Sequence, residues 1–156
     1  MNWKWNQKRS DMRHLCDSNI FIAAATEQHA NHVAARRWFE ALAVGDTAGF
    51  CRASQTSFLR LLTQNIAPQF VPLTNQQAWQ VYDALCLDDA VVWENEPPRV
   101  ETIWRKLASA DSSAAKLWMD AYLAAFAICG GLRLVTFDHG FRQFEKEGLD
   151  LKLLAP

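Results

Sequence analysis

The chain is 156 residues long, 50% hydrophobic, with a formal net charge of −1. That length fits one domain with a real core, and the charge excludes whole-molecule attraction to nucleic acid while leaving room for a local basic rim. No run approaches the roughly 18 apolar residues of a membrane span. The longest, Ala121 to Cys129, lies too far along the chain for a signal peptide.

Residues 1–11 are polar apart from Trp3 and Trp5 and read as an N-terminal extension, with those tryptophans free to dock elsewhere. The domain proper is expected over 12–156. Arg13 to Cys16 is a first strand, ended by Asp17-Ser18-Asn19 and an apolar segment, Ile20 to Ala25. Glu27 to Ala43 has helical spacing, with Gly45 just beyond it. His29 and His32 lie three apart on it. With no acidic or cysteine companion they are expected on a solvated face.

Ala48 to Arg52 reads as the second strand. Ser54 is a candidate N-cap for a helix Gln55 to Thr63, and Thr74-Asn75 for a helix Gln76 to Leu85. Val91 to Trp93 is the third strand. Pro97-Pro98 opens a helix running to about Leu107, and Asp111-Ser112-Ser113 is a turn able to cap the next. Cys16, Cys51, Cys86 and Cys129 are far apart with no C-x-x-C pair, so buried, reduced thiols of a cytoplasmic protein are expected rather than zinc ligands.

The segment Leu117 to Ala127 is apolar on almost every side, the mark of a buried helix. It nevertheless carries Asp120, and a buried carboxylate needs a partner, a cation or a wet cleft. Gly130-Gly131 stops the helix. A fourth strand, Leu132 to Thr136, leads to Asp138. A short helix, Gly140 to Lys146, and a last strand near Leu151 to Leu154 complete the chain. Alternating strands and helices predict an α/β fold, with a mainly parallel central sheet between two helical layers.

In such a sheet, ligands bind beyond the carboxyl ends of the strands. Asp17 and Asp138 each end a strand, and the helix carrying Asp120 begins at that same edge. If the first and fourth strands are neighbours, three carboxylates meet. Their mutual repulsion would favour a hard cation, magnesium or manganese. Asn19 and Thr136 are short polar residues placed to orient them. Each acid also has a plain alternative: Asp17 as a turn or cap residue, Asp138 as a cap for the helix at Gly140, Asp120 as an ion-pair partner of Lys116.

The segments Asp17-Ser18-Asn19, Asp120-Ala121-Tyr122-Leu123-Ala124-Ala125 and Leu134-Val135-Thr136-Phe137-Asp138-His139-Gly140-Phe141 resemble the three acidic motifs of PIN domains, and more closely those of VapC-type toxins of bacterial toxin–antitoxin pairs. The resemblance runs from about Met12 to the C-terminus. It implies a PIN-like fold and a magnesium- or manganese-dependent endoribonuclease with Asp17, Asp120 and Asp138 as acidic ligands. Asn19 and Thr136 match supporting polar positions. It also implies an RNA substrate, a cognate VapB-type antitoxin and a homodimer. One departure is visible. The family usually has a glutamate in the helix after the second strand, and the alignment places Arg60 there, within Phe58-Leu59-Arg60-Leu61-Leu62. That exchange of charge questions a second metal site and makes Arg60 a candidate contact for RNA phosphate or an aspartate, or else an ordinary surface ion pair.

Further basic candidates for an RNA-facing rim are Arg36, Arg37, Arg52, Lys116 and Arg142. Two rivals stand beside the toxin reading. One is a catalytically weakened PIN fold that binds RNA or a partner without cutting. The other is a housekeeping RNA-processing or DNA-cleaving nuclease with no antitoxin. Trp38, Trp79 and Trp104 are expected in the core or an interface rather than as base-stacking platforms.

Overall fold

The structure, a computed structural model, describes residues 10–156. Trp3 and Trp5, and most of the expected extension, lie outside the described residues. Five strands form one sheet in the order β3-β2-β1-β4-β5. They are β1 (Arg13–Cys16), β2 (Thr47–Phe50), β3 (Val91–Trp93), β4 (Arg133–Thr136) and β5 (Asp150–Leu153). Every neighbouring pair is parallel.

Period-two alternation sends adjacent strand residues into different cores. Leu15 and Leu134 pack with Leu123, Ala124, Phe126 and Ala127 on one face. Cys16, Phe50 and Val135 pack with Ile20, Phe21, Phe58 and Leu62 on the other. The first face is covered by α5 (Val100–Leu107) and α6 (Leu117–Gly130). The second is covered chiefly by α1 (Ser18–Ala25) and α3 (Arg52–Leu62), with α2 (His32–Glu40) and α4 (Asn75–Leu85) outside them. Phe21 stacks on Phe50 in this second core, with Phe58 edge-on.

Several local expectations are corrected by tertiary structure. The apolar Ile20 to Ala25 is most of α1. The expected helix from Glu27 starts only at His32, because Thr26 accepts the His29 amide and opens turns. Helix α3 begins three residues early, at Arg52. Its cap is Cys51, and Ser54 sits at the third helical position, accepting the Cys51 amide. Thr74 caps α4 as expected, in a reciprocal pair with Gln77. Pro97-Pro98 precede α5, whose true entry is Arg99 at φ 71°. The Asp111-Ser112-Ser113 turn does not cap α6, which starts after Lys116 with no side-chain cap. Gly131 ends α6 at φ +61°.

His29 and His32 are not freely solvated. His29 Nδ1 accepts from the Asn31 amide, and His32 Nδ1 bonds the Ala23 carbonyl. All four cysteines are free, but Cys86 is exposed and Cys129 half-buried, against the expectation that they are buried. Trp38 packs on the α1–α3 core and Trp104 on the α6 core, whereas Trp79 is half exposed. No helix among the described residues is long and apolar enough to cross a membrane.

Candidate active site

β1 and β4 are hydrogen-bonded neighbours, with Cys16 opposite Val135. Asp17, directly after β1, and Asp138, two residues after β4, therefore leave the sheet at one carboxyl edge. The Asp17 amide continues the ladder to the Val135 carbonyl at 3.0 Å. Helix α6 runs back against its strands, which puts its first turn, with Asp120, at this edge.

Thr136 is the hub of the site. It is fully buried, and its hydroxyl donates to Asp17 Oδ2 at 2.8 Å. The same oxygen accepts from Asn19 Nδ2 at 3.1 Å and from the Asp138 amide at 3.0 Å. Asn19 Oδ1 accepts the Phe137 amide at 3.4 Å, tying α1 to the turn after β4. Asn19, Thr136, Asp17 and the backbone of Asp138 thus form one bonded cluster.

Asp138 and Asp120 are joined through Lys116. Its ammonium is 2.5 Å from Asp138 Oδ2 and 3.7 Å from Asp120 Oδ2. The two carboxylate oxygens are separated by no more than the sum of those distances. Asp138 Oδ1 also accepts the Gly140 amide at 2.8 Å, the capping role weighed as its alternative. The Asp120–Lys116 pair is likewise present. Both alternatives coexist with the clustering of the acids.

The charge balance of the cleft is uneven. Burial lifts the Asp17 carboxyl above its ordinary range, opposed by the Thr136 hydrogen bond and reinforced by Asp138. Burial also lifts Asp120. Lys116 opposes this, and the Asp138 and Asp17 carboxylates add to it. Asp138 moves the other way, held low by the Lys116 hydrogen bond. For two of the three acids, burial and neighbouring carboxylates thus disfavour the charged form. A hard divalent ion would offset both effects, and the all-oxygen donor set fits one. Among the described residues, no group of three His, Cys, Asp or Glu side chains is already arranged as a metal cage.

Arg60 is not drawn into this cluster. It lies in the last turn of α3, roughly 12 Å along the helix from Arg52, and lines a surface depression with Thr63, Asn75, Ala78 and Trp79. The basic residue of α3 at the carboxyl edge is Arg52, which follows Cys51 at the end of β2. Its guanidinium lies 4.6 Å from the centroid of Trp93, at the end of β3. Arg52 was legible as a basic rim candidate; Trp93 as its partner was not, because nothing local announces that β2 and β3 are neighbours. Arg36 pairs with Glu40 on α2.

An all-parallel sheet bearing acids on adjacent strands at its carboxyl edge defines a class of α/β domain, and a family model described as the PIN domain matches residues 15–147. The chain belongs to the PIN-domain family, among its VapC ribonucleases. It is 46% identical to ribonuclease VapC41 of Mycobacterium tuberculosis over 90% of this chain and 98% of that one. Ribonuclease VapC31 of the same organism is 30% identical over 83% of this chain and 92% of its own. Among solved structures, VapBC2 from Rickettsia felis, bound to a DNA fragment from its promoter, gives a TM-score of 0.66 at 14% identity, covering 92% of this chain and 100% of that one. VapC20 of Mycobacterium tuberculosis, a sarcin-ricin loop cleaving toxin, gives 0.60 at 17% identity, covering 86% and 95%. At such identities these structures speak for the fold.

Proposed function

We propose that the chain is a metal-dependent endoribonuclease and the toxin of a VapBC-type pair, with Asp17, Asp120 and Asp138 as its acidic centre. The observation that carries this is the meeting of Asp17, Asp138 and the α6 N-terminus at one sheet edge, in a chain whose curated relatives are named ribonucleases. The catalytic unit is taken to be 12–156. A cognate VapB-type antitoxin belongs to the same proposal, supported by neighbours solved as VapBC complexes; a homodimer and a cytoplasmic setting are carried with it from the family resemblance alone.

The three aspartates would hold one magnesium or manganese ion. When bound, it supplies positive charge against the phosphate oxygens and acidifies water at neutral pH. The chain's own residues prepare that site. Thr136 fixes the Asp17 carboxylate, Asn19 fixes Thr136, and the Gly140 amide fixes Asp138. Such preorganisation spares reorganisation when charge develops on the phosphate. Arg52, on the same edge, offers a fixed cation to the RNA backbone.

The test is cleavage of RNA in magnesium. Asp120→Asn is expected to lose about a hundredfold or more of the rate, and full activity in that variant would defeat the assignment. A second reading, a PIN fold that binds RNA without cutting, is favoured by Lys116, which already offsets part of the acidic charge. Manganese binding in the absence of RNA separates the two.

A further inference from the structure

Lys116 sits where helix physics disfavours it. It is the residue before α6, and a cation at a helix N-terminus meets the positive end of the dipole. Its side chain is 70% exposed, against 15% for Asp120 and 28% for Asp138. The acids are thus held by the fold, while the lysine reaches in from solvent across the mouth of the cleft. Among the described residues, the partners of its ammonium are these two carboxylates.

We propose that Lys116 is a tethered counter-ion that competes with the divalent metal for Asp120 and Asp138. This rests on the reading in which those acids, with Asp17, bind metal. A hard cation needs oxygen lone pairs on Asp138 Oδ2, the atom the ammonium contacts. An ammonium and a dication crowded onto the same oxygens also repel. Metal entry therefore drives the lysine out. Its flexible four-carbon stem allows that by rotamer change alone, with the backbone of α6 in place. The freed ammonium stays within a side chain's reach of the cleft mouth, where an RNA phosphate arrives. Without metal, the lysine limits repulsion among the acids; with metal, it is the group displaced.

The test is calorimetric titration of manganese into the full chain without RNA, for wild type, Lys116→Met, Lys116→Arg and Asp138→Asn, with urea unfolding of each in chelator and in saturating manganese. Lys116→Met is expected to bind manganese about tenfold more tightly than wild type. It is also expected to unfold at lower urea in chelator, a deficit that disappears with manganese. Lys116→Arg, which keeps the charge, should bind like wild type. Equal or weaker binding by Lys116→Met overturns the proposal. If that equal binding is abolished by Asp138→Asn, the metal reading survives and only the role of the lysine falls. If manganese binds none of the variants, or binds Asp138→Asn as well as wild type, the metal reading fails and takes this one with it.

Discussion

Thr136 Oγ1 donates to Asp17 Oδ2 at 2.8 Å across 119 positions of the chain. The same buried oxygen accepts from Asn19 and from the Asp138 amide. Thr136→Val keeps the shape and removes all three bonds. It leaves Asp17 Oδ2 without the Thr136 donor and the Asp138 amide without its acceptor. A loss of about 1–3 kcal/mol is expected, read as a lower urea midpoint in chelator. Thr136→Ser should recover most of it. A valine variant as stable as wild type would show that the cluster does not hold the two strand ends together.

How far this edge was legible depends on whether a signal is local. Asp17 and Asp138 could be placed because a short strand pattern ends beside each, and Val91–Trp93 was found at its observed bounds for the same reason. The adjacency of β1 and β4 had to be assumed, since no residue in either strand names its neighbour. Ser54 reads as a cap from sequence because a serine before a helical run is the usual sign. Here tertiary packing carries α3 back to Arg52, and that serine serves the cap from within. Arg60 was aligned from sequence to a glutamate position, but helical rise places it at the end of α3 away from the acids. The double pairing of Lys116 is only half local: its link to Asp120 is one helical turn, whereas Asp138 is 22 residues away and meets it only through the fold.

His14 supplies a pH dependence independent of the acidic cleft. It is buried at 5% exposure, edge-on to Trp38. Its Nδ1 lies 2.9 Å from the Thr47 carbonyl, which can only accept, so Nδ1 carries the proton. Burial lowers its pKa from 6.5, against the Thr47 bond and the Asp46 carboxylate; Arg133 adds to the lowering and Asp150 opposes it. The unfolded chain therefore takes up a proton more readily than the folded one. Stability is full above the unfolded value and is lost as pH falls through 6.5 toward the folded value. Denaturant unfolding in chelator should show this slope below about pH 7.5, opposed at its acidic end by Asp17 and Asp120, whose lifted carboxyls take up protons more readily folded than unfolded. His14→Gln should reduce it, leaving the same-signed share of His29, whose pKa burial also lowers. An unchanged slope in that variant would assign it to other groups.

Gly49 marks a close approach rather than a turn. A Cβ there would lie 2.6 Å from Glu94 Cγ and 2.8 Å from the His14 carbonyl oxygen. Glu94 is fixed because it is buried and paired with Arg13. Gly49→Ala is expected to cost about 1–3 kcal/mol by forcing this packing apart. In a Glu94→Ala background one of the two clashes is gone, so the same substitution should cost less. A double-mutant cycle by urea unfolding measures that coupling, and additive effects would show that the glycine is not needed for Glu94.

Arg52 and Trp93 give the last prediction, which concerns substrate binding. Arg52 follows β2, one strand from Asp17, and Trp93 ends β3, one strand further. At roughly 4.8 Å per strand, an RNA backbone lying along the carboxyl edge passes from the acids to this pair. Both residues are exposed, and the guanidinium lies over the indole at 4.6 Å. The stacked pair offers phosphate a cation whose orientation is already fixed, with an aromatic surface beside it for a base. Arg52→Ala and Trp93→Ala are each expected to raise KM for RNA about tenfold with kcat little changed, since neither touches the acidic cluster. Arg52→Ala should also weaken the salt dependence of RNA binding. Urea midpoints should stay close to wild type, because these are surface substitutions. If KM is unaffected in both while Asp120→Asn is inactive, RNA reaches the acids by another path and the pair is only a surface stack.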